Sequence, residues 1–103
     1  MKKMLPALLM GLLLAAPAFA DAGKDLYQSK KCGMCHGATG TSANKMFPSL
    51  AGKDAAFLSA ETMKIKSGER KGKMTRSMMI NPGVKSLTKE ESEAIGAWLA
   101  SVK

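Results

Sequence analysis

Cys32-Gly33-Met34-Cys35-His36 places two thiols and an imidazole within one short stretch of chain. This C-x-x-C-H spacing suits covalent attachment of c-type haem. The two thiols add across the two vinyl groups of haem to form thioether bonds, and one helical turn between the sulfurs matches the separation of those vinyls. The next side chain, His36, then offers its imidazole to the iron. Three other chemistries compete for the same residues. A bare disulfide suits an oxidising compartment. A redox-active dithiol wants a βαβ setting, and no alternating strand pattern is present. A zinc site wants a fourth ligand, but the chain has 2 Cys and 1 His.

The single His has a consequence. His36 is the only imidazole available, so bis-His coordination of an iron is excluded. A sixth ligand must be Met, a weaker side chain or water. Thioether sulfur is soft, suits low-spin iron and raises the reduction potential. Beyond the first twenty residues, methionine occurs at Met34, Met46, Met63, Met74, Met78 and Met79. Met34 is inside the attachment motif, Met63 reads as helical, and Met46 follows His36 closely. Met74, Met78 and Met79 sit in a stretch long enough to reach the opposite face of a haem. For any one of them, the plain alternative is packing in the core.

Three segments read as helices that would position these groups. The first covers residues 22–31, capped by Asp21, with Gly23, Leu26 and Tyr27 on one face. The second covers 54–66, where Ala55, Leu58, Thr62 and Ile65 recur at helical spacing and Gly68 suits the position just past the end. The third covers 89–102. Thr88 and Glu91 form a capping box, Glu90 and Glu91 complement the dipole, and Ile95, Trp98, Leu99 and Val102 make the apolar stripe. Two stretches, 37–53 and 67–87, read as long irregular loops. Loops of that length are uncommon in a small domain unless they are functional or are packed on something. A flat, bulky apolar group would give them a surface to wrap.

Composition bounds the rest. A chain of 103 residues allows one small domain. Lys2 and Lys3, the apolar run Met4 to Ala20 and the small-x-small end Ala18-Phe19-Ala20 read as a secretory signal peptide over residues 1–20. The alternative, a membrane anchor, wants about 20 apolar residues, whereas Pro6 and Pro17 interrupt this shorter run. Residues 21–103 are then one exported, periplasmic domain without stable membrane insertion. A domain of that size is marginal without a staple or a bound group. Two cysteines three positions apart would close a loop too small to help much.

The sequence resembles the small class I c-type cytochromes of bacteria over nearly all of 21–103. Gly23 and Tyr27 match the Gly and aromatic of the family's first helix, and Ile95 and Trp98 match its last helix. Phe47-Pro48-Ser49-Leu50-Ala51-Gly52 resembles the family's Pro-x-Leu-x-Gly segment. The resemblance implies an all-α class I cytochrome c fold, with three main helices and long loops around one covalently bound haem. It also implies that the Pro48 carbonyl accepts a hydrogen bond from His36, that the first and last helices cross closely, and that Gly permits their approach. Ser67-Gly68-Glu69-Arg70-Lys71 with Met74-Thr75 resembles the stretch that carries the axial Met, which favours Met74. The family's usual spacing back from Leu87 reaches Ile80 instead. An insertion that includes Asn81-Pro82-Gly83 is therefore expected, and Met78 and Met79 remain alternatives.

The expected role is electron transfer through a haem with closed coordination, not enzyme catalysis. The alternatives are a haem enzyme or ligand sensor with an open sixth site, and a haem subunit of a larger redox complex. The 16 Lys+Arg outnumber the 8 Asp+Glu. Lys30, Lys31, Lys45, Lys66, Arg70, Lys71, Lys73 and Arg76 flank the haem-binding segments. A basic ring of this kind would steer redox partner proteins that dock through an acidic surface; simple solubility explains the same charges. Nucleic acid is excluded as a partner by export and by the scarcity of aromatics.

Overall fold

The computed structural model describes residues 21–70, 72 and 75–102. Its architecture is helical, and no strand occurs among the described residues. Residues 21–29 form helix α1, so Asp21 lies within the helical segment. Helix α2 spans Gly33–His36, α3 Ala55–Ser67, α4 Thr75–Ile80, α5 Pro82–Lys85 and α6 Lys89–Ser101. The expected signal segment 1–20 lies outside the described residues, as do Lys71, Lys73 and Met74.

The two longest helices begin and end where local chemistry directs. The Asp54 side chain accepts from the Phe57 amide at 2.9 Å, which satisfies one of the free N–H groups at the start of α3. Gly68 closes α3 in the left-handed conformation at φ 82°. At α6 the capping box is complete: Thr88 accepts from the Glu91 amide at 3.1 Å, and Glu91 accepts from the Thr88 amide at 2.9 Å. The bond from the Thr88 amide, with the nearby Lys30 charge, holds the Glu91 carboxyl below its usual range.

Helices α3 and α6 form the main pair. Between them Ser59 and Ser92 share a buried hydrogen bond at 2.7 Å, so neither hydroxyl is left unsatisfied. Helix α1 meets α6 through Gly23. A Cβ there would collide with the Ala94 carbonyl oxygen and would lie 2.9 Å from Trp98 Cβ. Glycine is therefore needed for the close approach that the sequence expectation assigned to it. One turn on, the Tyr27 and Trp98 rings meet at a centroid distance of 5.1 Å, tilted by 54°.

The core cluster is small: Tyr27, Leu58, Leu87, Ile95 and Leu99. The first and last helices thus share one apolar seam with α3. The expected loop 37–53 is irregular but well bonded. The Leu50 amide donates to Gly40 at 2.6 Å, and Gly52 donates to the Leu99 carbonyl at 2.8 Å, which ties the loop to α6.

The second expected loop needs correction. Among the described residues of 67–87 are two short helices, α4 and α5, rather than a continuous irregular stretch. Local capping accounts for α5: the Asn81 side chain accepts from the Gly83 amide at 2.8 Å, and Pro82 occupies the first turn, where its missing N–H costs nothing. Helix α4 has no buried residue, so no apolar periodicity marked it in the sequence.

The Gly23 contact gives a first prediction. Gly23→Ala should lower the thermal midpoint of the folded protein, at a cost of about 1–3 kcal/mol for the forced separation of α1 and α6. An unchanged melting curve would contradict the close approach.

Candidate functional site

Cys32 lies directly before α2, and Cys35 and His36 lie within it. This single turn exists because Cys35 and His36 both donate their amides to the Cys32 carbonyl, at 3.3 and 3.1 Å. Cys32 is partly buried and Cys35 exposed, and both are free. Burial pushes the Cys32 thiol up to about 11. A catalytic dithiol works through a lowered thiol pKa, so this environment opposes redox exchange at Cys32. Among the described residues, no group of three His, Cys, Asp or Glu is placed to hold a metal ion.

His36 is 6% exposed. Its Nδ1 lies 2.9 Å from the Pro48 carbonyl oxygen. A carbonyl oxygen only accepts, so Nδ1 carries the proton and donates. In the neutral ring Nε2 then keeps its lone pair, and it makes no hydrogen bond to any described residue. A hydrogen bond of this kind orients a ligating imidazole and raises its basicity. The Phe47 ring, beside Pro48, stands edge-on to His36 at 6.3 Å. Tyr27 Oη donates to the Gly37 carbonyl at 2.6 Å, which fixes the chain immediately after His36. Gly37 itself adopts φ 89°.

Cys32, Cys35, His36 and Pro48 all border one cavity of about 350 Å³, within the range of small-molecule cofactor sites. Among the buried apolar residues, Tyr27, Leu58, Ile65, Val84, Leu87, Ile95 and Leu99 line it. The core of the molecule is therefore also the wall of the cavity. An apolar slot with two thiols and a buried, oriented imidazole is what a covalently held haem requires, and the residues present fit that group.

The three candidate sulfur ligands separate. Met78 lines the cavity. Met79 approaches Gly68 instead, its Cε 3.5 Å from the place where a Cβ on that glycine would stand. Met74 lies outside the described residues. The basic residues also divide. Lys30, Lys31 and Arg70 border the cavity, as does Lys53, which sequence reasoning did not single out although it directly follows the Pro-x-Leu-x-Gly segment. Arg70 pairs with Glu61 at 3.2 Å. Lys30 and Lys66 bond within the molecule, at 2.9 Å to Ser86 Oγ and 2.6 Å to the Leu87 carbonyl. A ring counted from sequence proximity therefore contains cations already engaged by the fold.

A family model described as "Cytochrome c" matches residues 20–103. Cytochrome c4 of Pseudomonas aeruginosa is 34% identical over 105 residues, covering 100% of this chain and 50% of that protein. The chain thus spans half the length of that relative. Cytochrome c-551 of Stutzerimonas stutzeri is 32% identical over 108 residues, with 100% of both chains covered. Cytochrome c-554(548) of Halomonas halodenitrificans is 29% identical over 82 residues, 80% of this chain and 94% of that one. The crystal structure of reduced recombinant cytochrome c4 from Pseudomonas stutzeri shares the fold, with a TM-score of 0.70 at 23% identity over 84% of this chain and 50% of that chain.

The Tyr27 contact carries a pH prediction. Burial pushes its phenol from 10.0 up to about 12, so the fold favours the neutral form. The stability it contributes is complete below pH 10 and is lost as pH rises through about 12. Tyr27→Phe should lower stability at neutral pH by about 1 kcal/mol through loss of the bond to Gly37. It should also remove part of the alkaline loss, as read by circular dichroism against pH. Parallel alkaline curves for the two proteins would contradict this assignment.

Proposed function

This chain belongs to the cytochrome c family, and from that premise we propose that it is an exported one-electron carrier with a single haem held by Cys32, Cys35 and His36. Residues 1–20 serve as a cleaved export signal, and residues 21–103 act as one domain in the periplasm. The observation that carries this reading is the convergence of both cysteines and a buried, hydrogen-bonded imidazole on one apolar cavity. No helix among the described residues is long and apolar enough to cross a membrane.

Haem, when bound there, supplies one reversible electron through its ferric and ferrous states. Cys32 and Cys35 tether the group, so redox cycling cannot release it. His36 would ligate the iron through Nε2, its ring held in orientation by the Pro48 carbonyl. A thioether from the 74–79 segment would supply the other protein ligand. The Met74-Thr75 pairing supports Met74, and the place of Met78 on the cavity wall supports Met78. Sulfur at that position raises the potential. With both positions filled by protein side chains, the site would change little on electron transfer and would leave oxygen or peroxide no place to bind, which favours a carrier over an enzyme. The cavity wall of Leu58, Ile65 and Leu99 excludes water from the centre.

Partners are redox proteins that present an acidic surface. Lys31 and Lys53, both exposed and both bordering the cavity, supply positive charge where electrons would pass. Steering by exposed cations weakens as salt is raised, because the screening length falls to about 8 Å at physiological ionic strength.

Replacing Met74, Met78 and Met79 singly with Leu tests the ligand set. The weak charge-transfer band of ferric iron bonded to sulfur should vanish in the Met74 or the Met78 variant and persist in the Met79 variant. Its survival in both of the first two would remove sulfur from those positions as the ligand. Carbon monoxide should bind the reduced wild type only slowly at neutral pH. Rapid binding would overturn the closed-site carrier.

A further inference from the structure

Residues 83–87, which follow the stretch that offers the candidate sulfurs, are fastened to the rest of the molecule from two sides. From the last turn of α3, Lys66 Nζ donates to the backbone carbonyl of Leu87 at 2.6 Å. From the chain just before the cysteine motif, Lys30 Nζ donates to Ser86 Oγ at 2.9 Å and stands 3.7 Å from Glu91 Oε1. The same residue meets the segment through its backbone: a Cβ on Gly83 would collide with the Lys30 carbonyl oxygen. Residues 83–87, in and just after α5, are thus held between the end of α1 and the end of α3, and α5 begins two residues beyond the end of α4, the helix that carries Met78. Leu87 is 2% exposed and lines the cavity, so this fastening point is part of the cavity wall.

Lysines that serve only solubility keep their ammonium groups in water. Here the Lys30 side chain is 19% exposed and both ammonium groups are engaged within the molecule. The hydrogen bond to the Leu87 carbonyl is charge-assisted, the stronger class of such bonds. The Lys30–Glu91 pair, at 3.7 Å and partly in solvent, adds little by itself. Its Glu91 oxygen already accepts from the Thr88 amide.

We propose that Lys66 and Lys30 are positioning residues: by fixing residues 83–87 they hold α4, with Met78, against the cavity and so keep the remaining ligand position closed, instead of serving as docking charges. The proposal rests on the reading that a thioether of the 74–79 segment ligates the iron. A ligand from solution can bind ferric iron only when that segment lifts. Its apparent affinity therefore scales with the fraction of molecules in the lifted state.

The test is cyanide binding to the ferric holoprotein at neutral pH, together with the sulfur charge-transfer band and the reduction potential. Lys66→Leu removes the donor and Lys66→Arg retains one; Lys30→Leu and the milder Ser86→Ala release the other side. Cyanide should bind Lys66→Leu roughly tenfold more tightly, the effect of losing one charge-assisted bond. It should bind the double Leu variant more tightly still, and Lys66→Arg should return toward wild type. Ser86→Ala should move the affinity in the same direction by a few-fold, and it keeps the test available should a Leu variant not fold. The potential should fall where the band weakens. Wild-type affinity in Ser86→Ala and in every folded Leu variant, with the band unchanged, would overturn the positioning role while leaving the sulfur ligand standing. A wild type that lacks the band would overturn the ligand reading and this proposal together.

Discussion

A carbonyl oxygen can only accept a hydrogen bond, and that limit decides how the Pro48 oxygen, 2.9 Å from His36 Nδ1, can be used. It sets the proton on Nδ1 and the ring in one orientation, and it leaves Nε2 as the atom with a lone pair. Most of the surrounding structure serves this contact. The loop 37–53 must return Pro48 to a helix only a few residues long. It does so because its own amides are bonded to Gly40 and because Gly52 is tied to α6 through Leu99. Tyr27, wholly buried between α6 and the cavity, secures the other side by its bond to Gly37.

The energetic logic of the fold follows from where the apolar side chains go. Tyr27, Leu58, Leu87, Ile95 and Leu99 are both the core and the lining of the cavity. A small domain buries a limited share of its surface, and here that share is arranged as a shell. A flat apolar group bonded at Cys32 and Cys35 would turn the shell into a filled core. Stability and redox function are then two results of one arrangement. Truncating a residue such as Leu99 would loosen the helix seam and admit water to the centre together.

Much of this was legible in the sequence because it depends on local chemistry. The C-x-x-C-H spacing, the capping box at Thr88 and Glu91, the Asp54 start and Gly68 end of α3, and Gly23 at the helix crossing are all short-range signals. The Pro48 contact was reachable only by resemblance, since nothing within residues 36–48 alone brings that carbonyl to His36. Helices α4 and α5 were missed for physical reasons. Each is too short to show a period, α4 buries no residue, and α5 is set by a single Asn81 side chain. The basic ring was read from charges near in sequence. Lys30, Lys66 and Arg70 found partners up to 56 positions away, which no local pattern reveals.

Whether Cys32 and Cys35 are bonded to porphyrin decides between a haem carrier and a bare dithiol. The direct measurement is the intact mass of the mature polypeptide under denaturing conditions, taken with its visible spectrum. Residues 21–103 plus the mass of one haem, retained after denaturation, is the result expected here. A colourless polypeptide at the mass of the bare chain, or lighter by two hydrogens for a Cys32–Cys35 disulfide, would contradict it.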